Sequence, residues 1–523
     1  MRGIVDLNGI FHGQFLKLRD RIPIILTLRL ITWSHLSMKL KHFLTCLLIL
    51  AQMALPFRCV LAELKIIELP DIGDPTGTLM TPQQEAELGA AFYRNLHNQM
   101  EVNQDPEVLD YMQSLGSRLT ASSDNPSQPY TFFVVNDPVI NAFAGPGGYI
   151  GVNSGLILLS EEESELASVL AHEISHVTQR HLFQTFQAAS RMSIPTALAM
   201  LGAALIGAKG GGGQAATAAM MAAQAASAQY QINFTRDNEA EADRVGMQIL
   251  SKSEFDPRAM PSFFERMQQS TRFSGNHIPE FLLTHPVTVS RISDTRDRAE
   301  QFAYRQYPDS MVYQTIKAKL RLLTSPSPRM ALDYFKTMSG RGTKTQQDIN
   351  AYGLAMAQSK LGQNETAKAS LQRLVQTYPH QSQFMNALAN TEMDGKNYTK
   401  AAQLYDLALQ RFPGNQAMTL NYVRALLNTH DAAKARKLLH EYTQHHRATP
   451  DVYELMAETY SKLGNAGESH RYYAEGYYLL GQTKSALLQL QLAKRAAGGN
   501  FYLNSVIDER MSLWRAEERD QKD

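Results

Sequence analysis

Apolar residues recur at helical spacing from Ser160 to about Gln187, where Leu166, Val169, Leu170, Ile174 and Val177 form one stripe. Ser160 followed by Glu163 reads as the capping box that opens this helix. Upstream, Thr81-Pro82-Gln83-Gln84 supplies a cap, an N1 proline and a capping-box glutamine, and Leu88, Ala91, Phe92 and Leu96 carry that helix to about Met100. Asp105 to Leu119 predicts a second helix, and the β-branched and aromatic run Tyr130 to Val135 a strand. After a turn at Asn136-Asp137-Pro138, Asn141 to Val152 reads as a glycine-broken hairpin arm. Gly155-Leu156-Ile157 then leads into the long helix. The arm is either an ordinary hairpin or a cleft-rim strand able to accept an extended chain by backbone hydrogen bonds.

Farther along, Met192 to Tyr230 holds two apolar Ala/Met/Leu-rich halves broken by Lys209-Gly210-Gly211-Gly212-Gly213. The first half, Ile194 to Ala208, is short for a membrane span and contains Pro195, so a hinged helical lid is expected at 192–230; a membrane-contacting or docking patch is the competing reading. From about Gln346 a repeat appears. Leu361-Gly362-Gln363 with Ala367 and Pro379 recurs as Asp394-Gly395-Lys396 with Ala401, Ala402 and Pro413, the prolines 34 residues apart, and continues with slight stretching through Ala432-Ala433, Pro450 and Leu463-Gly464-Asn465. This is the tetratricopeptide period, with about four repeats discernible, and stacked helix pairs of this kind present a concave groove to peptides or partners. Tyr453, Tyr460, Tyr472, Tyr473, Tyr477 and Tyr478 crowd the last repeats, where most are expected to pack between helices.

The predicted fold class is mainly α with a small β-sheet, followed by an α-solenoid. Expected boundaries are 1–62 for an upstream extension and signal peptide, 63–79 for a linker, and 80–305 for the chemical domain. A connecting helical region follows at 306–345, then the repeats at 346–515 and a frayed charged tail at 516–523. A chain of 523 residues needs several domains. Met38-Lys39-Leu40-Lys41-His42, the apolar Phe43 to Leu55 and Val60-Leu61-Ala62 read as a cleavable export signal, with Met38 the expected start. Removing residues 1–62 turns the formal charge from +1 to −5, with 43 basic and 48 acidic residues, which gives no electrostatic case for nucleic acid. Both cysteines, Cys46 and Cys59, fall in that segment, so a mature chain holds neither a disulfide nor a thiolate metal site.

The candidate chemistry is His172-Glu173-Ile174-Ser175-His176. Residues four apart share a helix face, so His172 and His176 can offer imidazoles to one zinc ion with Glu173 beside its open position. Five such residues also arise by chance on a surface helix. The second element is Glu239-Ala240-Glu241-Ala242-Asp243, where Glu239 and Asp243 are four apart: one carboxylate can ligate the metal and the other brace a histidine. His181 and His277 do not fit the ligand spacing and are expected to face solvent.

Together with the 141–152 arm and Leu283-Thr284-His285-Pro286, these motifs resemble the gluzincin metallopeptidases related to HtpX and the mitochondrial Oma peptidases. With an export signal before and repeats after, the arrangement is similar to the BepA-type family of periplasmic metalloprotease-chaperones, over about residues 70 to 515 and most strongly from 130 to 295. The resemblance implies one Zn2+ per chain held by His172, His176 and Glu239, with Glu173 as general base and Asp243 in the surrounding shell. It further implies His285 as a fourth ligand holding the enzyme latent, and Arg291 near the oxyanion. It implies stalled outer-membrane proteins as substrates, the β-barrel assembly machinery as partner of the repeats, and peripheral membrane contact. A repeat-based chaperone or adaptor whose peptidase is normally latent is the alternative.

Overall fold

The computed structural model describes residues 80–188, 228–273, 280–305, 307 and 310–520. The export segment, the linker at 63–79 and His277 lie outside these residues, as does the expected lid except its last three positions. Helix α1 (Pro82–Gln99) opens as expected: Thr81 accepts from the Gln84 backbone, and Gln84 returns the bond to the Thr81 N–H. Helix α2 (Pro106–Thr120) is capped by Asp105, which accepts from the Glu107 and Val108 amides. Strands β1 (Thr131–Val135), β2 (Ala142–Ala144) and β3 (Tyr149–Asn153) form a sheet in the order β1-β3-β2. β2 and β3 make the antiparallel hairpin and β1 joins β3 in parallel.

Two expectations fail around the central helix. Gly155 and its neighbours form a separate short helix α3 (Ser154–Leu159), and Ser160 ends it rather than capping the next one. Its hydroxyl lies 2.6 Å from the buried Tyr313 hydroxyl, a long-range partner that outcompetes the local cap. Helix α4 (Glu163–Thr178) therefore starts from Glu162 with no side-chain cap. It also stops short of Gln187, because Arg180 adopts φ 56° and redirects the chain into α5 (His181–Ala188). Every residue of α4 from Ser164 to Ser175 is buried, since α2, the sheet and two later helices, α6 (Ala228–Lys252) and α7 (Ala259–Phe273), surround it. An apolar stripe was legible; enclosure on all sides was not.

A short helix α8 (Glu280–Thr284) and α9 (Val289–Glu300) complete this part of the core. The chain continues as an antiparallel helical array: α10 (Met311–Leu323) with α11 (Pro328–Met338), α12 (Lys344–Lys360) with α13 (Asn364–Thr377), and α14 (Ser382–Asp394) with α15 (Tyr398–Arg411). Then follow α16 (Gln416–Asn428) with α17 (Ala432–His445), α18 (Pro450–Lys462) with α19 (Ala466–Leu479), and α20 (Thr483–Ala497) with α21 (Phe501–Asp520). The period does not stretch. Gly362, Lys396, His430, Gly464 and Gly498 all take positive φ at the turn inside a pair, each 34 residues after the last. Alanines 367, 401, 408 and 435 are fully buried where helices cross. The tyrosines pack as expected: Tyr472 stacks on Tyr460 and Tyr453, and Tyr478 lies 4.3 Å from Trp514, centroid to centroid.

The array touches the sheet-bearing part at several places, two of them through ion pairs. Lys319 of α10 reaches Glu107 and Asp105 at the start of α2, and α21 returns Glu517 to Arg94 of α1 at 3.4 Å. Glu517 also accepts from the Tyr478 hydroxyl, so a residue of the expected frayed tail is anchored. Between these contacts lies a cavity of about 630 Å3 bordered by Tyr93, Arg94, Phe132, Leu420, Tyr442 and Arg447.

Candidate metal centre

Helix α4 places His172 and His176 one turn apart, with their Nε2 atoms at 3.0 Å. Helix α6 crosses α4 closely because Gly246 has no side chain: a Cβ there would sit 3.2 Å from the backbone nitrogen of His172. That approach brings Glu239 to 3.3 Å from both histidine Nε2 atoms, and Asp243 to 2.9 Å from Nδ1 of His172. The α8–α9 junction delivers His285, whose Nδ1 is 2.9 Å from Glu239 and 3.4 Å from His172 Nε2. The His285 ring stacks on Phe281 at 4.8 Å, and the Phe281 amide donates to the Ile140 carbonyl, which ties α8 to the hairpin arm.

One donor atom from each of His172, His176, Glu239 and His285 lies within 4.8 Å of the others. Ligands about 2.1 Å from a tetrahedral ion are roughly 3.4 Å apart, which the 3.0–3.4 Å spacings around His172 Nε2 match closely. The electrostatics agree with this fit. Burial alone would lower the His172 pKa, but the field of Glu239 and the contact with Asp243 outweigh it and push the ring up to about 10. Burial, with the neighbouring His172 charge, pushes His176 down to about 3. The buried carboxylates thus call for one cationic centre at the imidazole pair, the place a divalent ion takes.

Glu173 follows His172 on α4 and is 1 % exposed, with burial raising its carboxyl pKa. Its Oε1 has no hydrogen-bond partner among the described residues and faces His285 Nε2 at 3.7 Å. A buried carboxylate oxygen with no hydrogen bond at the edge of a donor cluster can accept a proton.

Arg291, expected near the oxyanion, lies within the same cluster. Its Nε and Nη2 donate to the two Asp243 oxygens at 2.8 Å each, and Nη1 lies 2.8 Å from Glu239 and 3.1 Å from the Pro286 carbonyl. A guanidinium engaged along these edges braces the two carboxylates. His181 departs from its expected place in solvent: it is 3 % exposed and sits against His176.

A family model described as Peptidase family M48 matches residues 106–299, and tetratricopeptide-repeat models match 352–416 and 392–459. The beta-barrel assembly-enhancing protease of Escherichia coli (strain K12) is 33% identical over 426 residues, covering 81% of this chain and 86% of its own. A Vibrio cholerae protein carrying that name provisionally is 37% identical over 430 residues, covering 82% and 88%. The chain belongs to peptidase family M48. The mitochondrial metalloendopeptidase OMA1 of Schizosaccharomyces pombe is 29% identical over 188 residues, covering 35% of this chain and 50% of its own. As an M48 metallopeptidase with tetratricopeptide repeats after the peptidase domain, the chain has a metal cofactor. No helix among the described residues is long and apolar enough to cross a membrane.

Proposed function

We propose that this M48 metallopeptidase is a zinc-dependent endopeptidase of the periplasm that clears stalled β-barrel outer-membrane proteins, with its repeats docking on the assembly machinery. The observation that carries the reading is the convergence of His172, His176, Glu239 and His285 donors beside the unpaired Glu173 oxygen. The signal-like segment 38–62 and the names of the relatives support the compartment and substrate. Two imidazoles and a carboxylate are the donor set of a catalytic zinc. When bound, zinc supplies Lewis acidity for the scissile carbonyl and lowers the pKa of water toward neutrality. His172, His176 and Glu239 hold the ion, and Asp243 keeps the His172 ring in its ligating tautomer from 2.9 Å. Arg291 fixes Asp243 and Glu239 together. Glu173 accepts the proton of the attacking water and returns it to the departing amine.

In the purified full chain, one zinc per chain is expected and chelation abolishes cleavage of an unfolded protein. Glu173→Gln should lose activity by about 10²–10⁴-fold while keeping its zinc; a Glu173→Gln variant as active as native overturns the reading.

A second reading, a repeat-based chaperone or adaptor with a normally latent peptidase, is favoured by the position of His285, which adds a fourth donor to the cluster. On that reading His285→Ala raises cleavage of a model substrate with zinc retained. Unchanged or lost activity at full zinc occupancy counts against the latch.

A further inference from the structure

His181 stands outside the donor group, yet it is enclosed almost as completely as the donors themselves. Arg180 takes a left-handed conformation with φ 56° immediately after α4, and this reversal brings the first residue of α5 under the last turn of α4. The His181 ring then meets the His176 ring edge to face, centroids 4.9 Å apart and planes at 74°, with the two Nδ1 atoms at 2.9 Å. On its far side, His181 Nε2 is 3.5 Å from an oxygen of Glu241, on the same helix as Glu239 and Asp243.

We propose that His181 is a positioning residue that holds His176 in its metal-ligating tautomer, and that Glu241 in turn orients His181. The inference rests on the reading of His176 as a metal ligand. Two ring nitrogens 2.9 Å apart share one hydrogen. His176 turns Nε2 toward His172 and Glu239, so a metal bound there leaves Nδ1 as the protonated nitrogen. That N–H donates to Nδ1 of His181, whose own proton sits on Nε2 and faces the Glu241 carboxylate. The two ligand histidines are thus braced differently. His172 has the buried carboxylate of Asp243, and His176 has a neutral imidazole with a half-exposed carboxylate behind it. The imidazole brace fixes the ring without adding another buried negative charge to a pocket that already holds Glu173, Glu239 and Asp243.

The test is zinc retention in the full chain under competition from a fluorescent chelator, beside the visible spectrum of the cobalt(II)-substituted protein. Asparagine can place its side-chain oxygen near the position of Nδ1, whereas glutamine of the same polarity reaches one atom too far. His181→Gln and His181→Leu should lose zinc affinity by about 10–100-fold and shift the cobalt spectrum. His181→Asn should stay within about threefold of native, a smaller loss than removal of a supporting partner causes. Metal-free melting temperatures should agree among the variants. A purely space-filling role would favour leucine and treat asparagine and glutamine alike. Native zinc retention in His181→Gln, or equal loss in His181→Asn and His181→Gln, overturns the proposal. His176→Ala is the separate control: native zinc affinity in that variant overturns the ligand reading beneath it.

Discussion

Asp243 ties His172 to Arg291 within the pocket. It faces His172 Nδ1 on one side and takes two Arg291 donors on the other, and these contacts hold its carboxyl below the usual range although burial would raise it. Asp243→Asn keeps the volume but replaces an acceptor-only group with one that presents an N–H to a positive neighbour. We expect zinc affinity to fall about 10–100-fold, measured by chelator competition, with the metal-free fold intact because Arg291 retains Glu239. Native affinity in Asp243→Asn would remove Asp243 from the ligand shell. The pair His172 and His176, and Glu239 with Asp243, were legible because residues four apart on a helix share a face whatever the rest of the fold does. His181 was not, because its contact with His176 depends on a chain reversal at Arg180, a residue type with no preference for positive φ. Arg291 came from the family resemblance, but its bidentate engagement depends on how α9 packs against α6.

At the scale of elements, local signals succeeded where the local partner also won in three dimensions. Thr81 caps its helix as read, whereas Ser160 turns to Tyr313, 153 residues away. In the repeats the prolines and alanines tracked the period only loosely, because they serve packing that varies between pairs. The backbone turn is the stricter marker. Lys396 and His430 adopt φ 60° and 63° at positions where Gly362 and Gly464 occur in neighbouring repeats. Both side chains are exposed, so the backbone conformation dominates their contribution. A non-glycine residue in the left-handed region costs roughly 1 kcal/mol, partly offset by the greater entropy glycine loses on folding. His430→Gly should therefore raise stability by up to about 1 kcal/mol, read as a shift of the urea midpoint at constant slope. A destabilised variant would mean that the His430 side chain contributes a contact worth more than the strain.

Across the whole molecule, the peptidase core and the repeats are joined by a buried charge. Lys319 of α10 is 8 % exposed and lies 2.5 Å from Glu107 and 2.9 Å from Asp105. Burial alone would lower its pKa; the field of Asp105 and then Glu107 outweighs that and holds it well above the usual lysine range. Asp105 has other bonds, to the Glu107 and Val108 amides. Glu107 is buried and leans on Lys319 for compensation of its charge. Lys319→Met strands that carboxylate, and removing one partner of a buried pair costs about 3–5 kcal/mol. The double replacement of Lys319 by Met and Glu107 by Leu removes both charges and should recover most of the loss. The same helix α2 also receives Gln416 of α16, which donates to Asp110 at 2.8 Å, so the junction extends well into the repeats. Loss of Lys319 should therefore move the unfolding of both parts together, seen as one transition shifted to lower denaturant by circular dichroism and by tryptophan fluorescence from Trp514. Two separated transitions in the native chain, with Lys319→Met displacing only the earlier one, would show that the repeats are tethered to the peptidase core without being folded onto it.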